Sequence, residues 1–173
     1  MGGDDEVRLP RLNGEVRIAR LDSPADMAGY WSWIGTEILE IAENEPTLNL
    51  EGFTMGVTEA EFRRVVRHEA GHTLGFEHEH MRTALVKRID RAKAIAYFDR
   101  TQGWTPEEVE AQVLAPLNTK SIMGTRESDP HSIRCCWIPG EITTDGKPIA
   151  GGKDINAKDY AFAGAVYPKQ LRR

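Results

Sequence analysis

Residues 68 to 78 read His68-Glu69-Ala70-Gly71-His72-Thr73-Leu74-Gly75-Phe76-Glu77-His78, and no other stretch of the 173-residue chain constrains its fold so tightly. Three of the five histidines in the chain fall inside it. On a helix, residues four apart lie one above the other on the same face, so His68 and His72 can aim their imidazoles at a single point. Glu69 is turned about 100° from His68 and faces the open side of that point. Gly75 can take left-handed backbone cheaply, end the helix and bring His78 back toward the same point. Three neutral imidazoles converging with one position left open are the donor set of a catalytic zinc ion rather than a structural one, which normally closes four protein ligands. The expected chemistry is hydrolysis by a zinc-bound water, with Glu69 as general base and then proton donor to the leaving amine, and with no covalent intermediate.

The flanking sequence fits a helix in this place. Thr58-Glu59-Ala60-Glu61 has the form of a capping box, with Thr58 as N-cap and Glu61 reaching back. The helix is expected from about Glu59 to Leu74, with Phe62, Val65, Val66, Ala70 and Leu74 turned toward a core.

The pattern H-E-x-x-H-x-x-G-x-x-H resembles that of the metzincin metallopeptidases, and the run His72-Thr73-Leu74-Gly75-Phe76-Glu77-His78-Glu79 is most similar to the astacin branch. The resemblance implies His68, His72 and His78 as zinc ligands, Glu69 as catalytic base, and Glu79 as the residue that meets the mature N-terminus. It implies an α+β, zincin-like catalytic domain: a small mixed sheet and the active-site helix above a cleft, then a helical, loop-rich C-terminal half. Gly29 to Gly35 resembles the segment before the substrate-side edge strand. Pro46-Thr47-Leu48-Asn49-Leu50 is similar to that strand, which can bind substrate backbone by β-augmentation. Asp145 to Ile149 and Asp154 to Tyr160 are similar to the C-terminal hairpin and last helix of the family.

One part of the pattern departs from the family. Metzincins place a methionine turn beneath the metal, written Ser-Ile-Met-x-Tyr in astacins. Ser121-Ile122-Met123-Gly124-Thr125 keeps the methionine but has threonine for tyrosine. Ser132-Ile133-Arg134-Cys135-Cys136 keeps Ser-Ile but has arginine for methionine and cysteine for tyrosine. Spacing divides the two: Met123 lies 45 residues after His78, a plausible distance for the family, whereas the spacing from Arg134 to Asp145 and the turn entry at Asp129-Pro130-His131 favour the second segment, which is preferred. Arg134 would then need a carboxylate partner or a route to solvent, and Cys136 could approach the zinc, where a thiolate can close the site. The alternative is that both cysteines are ordinary loop thiols.

Length suits a single domain: a disordered or truncated segment 1–14, then a catalytic domain 15–173 with subdomains 15–78 and 79–173. A net charge of −5 leaves no basic footprint for nucleic acid. No apolar run approaches the ~20 residues of a membrane span. The acidic start Met1 to Glu6 does not read as a signal peptide. The N-terminal part is short for the family, so the chain is expected to begin late; its compartment is open, with secretion implied by resemblance alone. Adjacent Cys135 and Cys136 are not expected to form a disulfide.

Elsewhere, Glu15 to Arg20 is expected as a strand with Val16 and Ile18 inward, and Trp33 to Ile41 as a second strand before a turn at Asn44-Glu45-Pro46. Asp90 should cap a helix through Phe98 with Ile89, Ala92, Ala96 and Tyr97 on its apolar side, and Thr105-Pro106-Glu107-Glu108 should start one reaching about Leu114. Gly140 to Gly152 reads as a hairpin or loop, and Asp154 or Asn156 should cap a last helix ended by Pro168. His80 reads as a surface residue or one that stands behind the ligands rather than as a ligand, and His131 as a solvated residue with substrate contact as the alternative. Trp31, Trp33 and Trp137 read as core or cleft wall, and Arg63, Arg64 and Arg67 as a solvated face. The leading function is a zinc metalloendopeptidase acting on peptide or protein substrates as a monomer. The alternatives are a zinc-binding pseudopeptidase that holds peptides without turnover, and a metal-free interaction module.

Overall fold

The structure, a computed structural model, describes residues 14–22, 29–118 and 123–169. The chain divides into two compact units: residues 1–58 with 69–76, and residues 59–68 with 77–173.

The first unit holds a three-stranded sheet of order β1-β3-β2, formed by β1 (Ile18–Ala19), β2 (Tyr30–Ser32) and β3 (Leu48–Leu50). β1 runs parallel to β3 and β2 antiparallel to it, so the sheet is mixed, as expected. All three residues of β3 are buried, as suits a strand covered on both faces. This corrects the edge-strand assignment for Pro46 to Leu50: β3 is central, and among the described residues β2 lies at a sheet edge. The inward residue of the first strand is Arg17, whereas Val16 and Ile18 are exposed. Arg17 is buried because its guanidinium donates to the carbonyls of Gly14, Glu15, Ile41, Ala42 and Glu45, a use of five donors that no aliphatic side chain could replace. The side-chain amide of Asn49 pairs with both backbone groups of Leu21 (2.9 and 2.8 Å) and holds the segment after β1. Residues Gly35–Glu40 form a 3₁₀ helix rather than the second strand expected there, with Ile38 as its buried residue.

Helix α1 (Glu59–Thr73) starts where the capping signal placed it. Its buried residues are Val65, His68, Glu69, Gly71 and His72, whereas Phe62, Ala70 and Leu74 are exposed. Ala70 and Leu74 lie about 140° and 180° around the helix from Val65, so a face built on Val65 excludes them. The inward stripe is made of polar site residues, which is why reading apolar residues alone misplaced it.

The second unit contains α2 (Thr83–Val86), α3 (Arg91–Gln102), α4 (Pro106–Val109) continued by a π-helical turn over Glu110–Leu114, and α5 (Ala157–Val166). Its core joins Leu85, Ile89, Ala94, Val109, Val113, Leu114, Cys135, Ile138, Ile142 and Ile149. Fully burying a side chain such as Ile142 or Ile149 contributes about 1.5–3 kcal/mol. Three helix starts follow the sequence signals. Asp90 accepts from Lys93 N, Thr105 and Glu108 form a reciprocal capping box with Pro106 at the first position, and Asn156 accepts from Lys158 N and Asp159 N. α3 runs past Phe98 to a left-handed Gly103, and it buries Ala94 rather than the exposed Ala92 and Ala96. Residues 140–152 are loop with a short 3₁₀ turn (Gly140–Ile142) and two antiparallel bridges, Thr143 to Ile89 and Ile149 to Ile138. Trp33 and Trp137 are exposed and Trp31 half-buried, so none of the three is a core residue. Among the described residues, no helix is long and apolar enough to cross a membrane.

Candidate metal centre

The site is built on α1 and on the chain that returns after it. Gly75 has a φ of +85°, so the chain turns sharply after the helix at a residue that tolerates left-handed backbone. A Cβ on Gly35 would sit 3.1 Å from Gly75 Cα, so both positions also suit glycine by their close approach. Ser32, at the end of β2, meets Thr73 in the last turn of α1 (Oγ to Oγ1 3.3 Å).

His68 Nδ1 donates to the carbonyl of Ile133 at 2.7 Å. A carbonyl can only accept, so the Nδ1 proton is fixed and Nε2 presents its lone pair, the usual arrangement behind a metal-binding histidine. His72 is set the same way, with Nδ1 donating to the Phe76 carbonyl at 3.0 Å. His78 returns to His68 with the two Nε2 atoms 3.3 Å apart. Two nitrogens bound to one tetrahedral zinc at about 2.0–2.1 Å stand about 3.3 Å apart, so the spacing fits one shared ion. His68, His78 and the thiol of Cys136 offer ligand atoms that all lie within 4.8 Å of one another. His72 is not in that trio; its relation to His68 is the helical repeat of α1. Glu69 is buried on the same helix.

Of the two candidate methionine-turn segments, residues 132–136 lie against the ligand helix. Arg134 is buried and its guanidinium donates to the His68 carbonyl. Instead of turning to solvent, it takes a backbone acceptor. Met123 is exposed and borders an open groove of about 640 Å³ with Gly124, Thr125, Lys158, Ala161, Phe162 and Ala165; Ser121 and Ile122 lie outside the described residues.

His80 is buried in a 3₁₀ turn over Glu79–Met81, which settles it as a residue behind the site rather than at the surface. Its Nε2 donates to the Gln112 carbonyl at 3.1 Å, and its ring centroid is 4.9 Å from that of His78. Only the return of the chain buries it; nothing local in Glu79-His80-Met81-Arg82 signals it. His131 is exposed, as expected. Glu79 accepts from Asp129 N at 2.8 Å, and its burial holds its carboxyl above the usual range; residues 1–13, including the N-terminus it was expected to meet, lie outside the described residues.

The electrostatics centre on Cys136. Burial opposes its ionisation, but the fields of His78 and His80 and hydrogen bonding to His78 outweigh burial and hold the thiol well below its ordinary range. His78 is held below the usual imidazole value, first by burial. Burial also pulls His80 down, yet Cys136 and the Gln112 carbonyl leave it raised. Cys135 faces the other way, into the apolar core, where burial pushes its thiol up to about 12. Neither cysteine forms a disulfide.

A mixed α+β fold carrying a buried to half-buried cluster of imidazoles and a thiol, spaced for one metal ion, defines a metal-binding domain of metallopeptidase type. Among solved structures the chain is similar to myroilysin, a metallopeptidase, in two separate structures. The first is 30% identical with a TM-score of 0.82 over 91% of this chain and 74% of that one. The second is 29% identical with a TM-score of 0.62 over 90% and 66%. The chain belongs to the family of myroilysin. No protein-family model and no curated protein sequence matches it.

Proposed function

We propose that the protein is a zinc-dependent, astacin-like metalloendopeptidase of the metzincin group. The observation that carries this reading is the 3.3 Å separation of His68 Nε2 and His78 Nε2, with His68 held in the metal-binding tautomer by the Ile133 carbonyl. His68, His72 and His78 hold the ion, His72 by virtue of its place one turn after His68 on α1. When bound, zinc supplies a Lewis acid and lowers the pKa of a coordinated water to about 7.

The residues of the chain do the rest. Glu69, turned about 100° from His68, accepts the proton of the attacking water and delivers it to the leaving amine. The Ile133 and Phe76 carbonyls hold the His68 and His72 rings in register. Arg134 holds the segment 132–136 against the helix at the His68 carbonyl, in the role that a methionine turn has in metzincins. β2, at the sheet edge, is the strand to which an extended substrate adds its backbone.

A second reading, a zinc-binding pseudopeptidase, is favoured by one observation: a thiol, Cys136, stands among the imidazoles where a peptidase needs an open position. Metal analysis joined to cleavage of a denatured protein separates the two. The peptidase reading expects about one zinc per chain, chelator-sensitive cleavage, and a fall in turnover of about 10²–10⁴-fold in Glu69→Gln with zinc retained. Zinc without cleavage in the wild type leaves the pseudopeptidase; a folded chain that takes up no metal removes both.

A further inference from the structure

We propose that Cys136 is a metal ligand, whose thiolate completes the site with His68 and His78 and closes the position that hydrolysis needs open. This rests on the metal-binding reading above and deepens it: the resting site is a closed histidine–cysteine cage, and turnover depends on Cys136 letting go.

The geometry comes first. The Cys136 sulfur and one ring nitrogen each from His68 and His78 lie within 4.8 Å of one another. A tetrahedral ion with Zn–N of about 2.0–2.1 Å and Zn–S of about 2.3 Å sets nitrogen and sulfur about 3.5 Å apart, well inside that limit. The spacing of the trio is therefore compatible with one shared ion.

The second observation is that the backbone around Cys136 is fixed on both sides, which separates it from a loop thiol that happens to be near. Upstream, the Asp159 carboxylate accepts from Ser132 Oγ (2.5 Å) and Ile133 N (3.1 Å), and the Ile133 carbonyl is itself the acceptor for His68. Downstream, Gly152 N donates to the Cys135 carbonyl at 3.0 Å. A Cβ on Gly152 would lie 2.1 Å from the Ser132 carbonyl oxygen, and one on Gly151 would lie 2.8 Å from Trp137 N. The two glycines thus let a neighbouring strand of chain press directly on residues 132–137. With the backbone clamped, Cys135 goes into the apolar core and Cys136 goes to the imidazoles. Paired cysteines in sequence have separate jobs.

In coordination, the S–H bond of Cys136 breaks, its proton leaves to solvent, and the sulfur lone pair forms the bond to the metal; no electron is exchanged. His68, His78 and the Cys136 thiolate would fill three positions of a tetrahedral ion, and His72, one helical turn after His68, would supply the fourth donor that leaves no place for water.

The test uses the full chain, stripped with a chelator and reloaded with cobalt(II), whose spectrum reports its ligands. The wild type is expected to show tetrahedral d–d bands together with a near-ultraviolet sulfur-to-cobalt charge-transfer band. That band should vanish in Cys136→Ala, persist in Cys135→Ala, and be accompanied in Cys136→Ala by about tenfold or weaker metal retention against a competing chelator. The zinc form of Cys136→Ala should cleave denatured protein faster per bound ion than the wild type. Cobalt bound without the charge-transfer band overturns the proposal while leaving the metal-binding reading intact, and the wild-type spectrum alone decides this if a variant does not fold. A band that follows Cys135 instead overturns it as well. No cobalt uptake by folded wild type overturns both readings, and unchanged or slower cleavage in the loaded Cys136→Ala protein overturns the closing role.

Discussion

Two adjacent thiols in this chain experience opposite surroundings. Cys135 sits among Leu85, Ile138 and Ile149, where ionisation strands a charge in apolar packing, so its thiol rises from an ordinary 9.0 to about 12. The folded state keeps the Cys135 proton to higher pH than the unfolded chain does. Its contribution to stability is therefore complete below about pH 9 and is lost as pH climbs toward 12, at about 1.4 kcal/mol per pH unit. Urea unfolding of wild type and Cys135→Ala at pH 8 and pH 10.5 should show the wild type losing about 2 kcal/mol more than the variant. Equal losses would mean that Cys135 is not held protonated by burial. The same pair shows the reach of sequence reading at this scale. Residue types and spacing named His68, Glu69, His72 and His78, because the metal-binding pattern is local to one helix and the turn after it. Which cysteine faces the imidazoles depends on the clamp of Asp159, Gly151 and Gly152 from distant parts of the chain. For His80 the sequence left the surface and a place behind the ligands both open, because the acceptor that decides between them, the Gln112 carbonyl, is 32 residues away.

At the scale of elements, α5 does more than end the chain. Its cap, Asn156, accepts from Lys158 N and Asp159 N, while its amide donates to Asp129 Oδ2 (2.9 Å) and to the His131 carbonyl (3.1 Å). The start of α5 therefore holds the turn that carries Ile133, Arg134 and Cys136. Asn156→Ala should cost about 1–2 kcal/mol from the lost cap alone. For a chain of this size that is about 2–8 °C in thermal midpoint. If the cap also positions the turn, the loss should come with weaker metal retention, whereas a cap change of equal cost at Thr105, which caps α4, should leave retention unchanged. Helix starts were legible because capping is a short-range exchange of hydrogen bonds. Strand placement was not. β1 has two residues in pairing geometry, and its inward side chain is an arginine that only the carbonyls of 41, 42 and 45 make tolerable. The stretch after Trp33 has strand-like composition but closes into a 3₁₀ helix.

For the molecule as a whole, the metal reading carries a thermodynamic consequence. An ion that binds the folded chain and not the unfolded one stabilises it by about 4 kcal/mol when present at a thousand times its dissociation constant. Chelation should therefore lower the thermal midpoint by about 10 °C, and added zinc should restore it. Scanning calorimetry with and without chelator reads this directly. A midpoint that ignores both would show that folding and metal are uncoupled, contrary to a ligand set gathered from α1 and from the chain around 78 and 136.

The sequence by itself determined the helix that bears the first two imidazoles, the glycine that turns the chain after it, and three of the helix caps in the second unit. Each of these is set by residues within a few positions of one another, so the physics is complete in a short window. Tertiary structure alone decided that β3 is central, that Arg17 and His80 are buried, and that Cys136 groups with His68 and His78 while Met123 is exposed. Those outcomes turn on hydrogen bonds and close backbone approaches between segments dozens of residues apart, which no local pattern encodes.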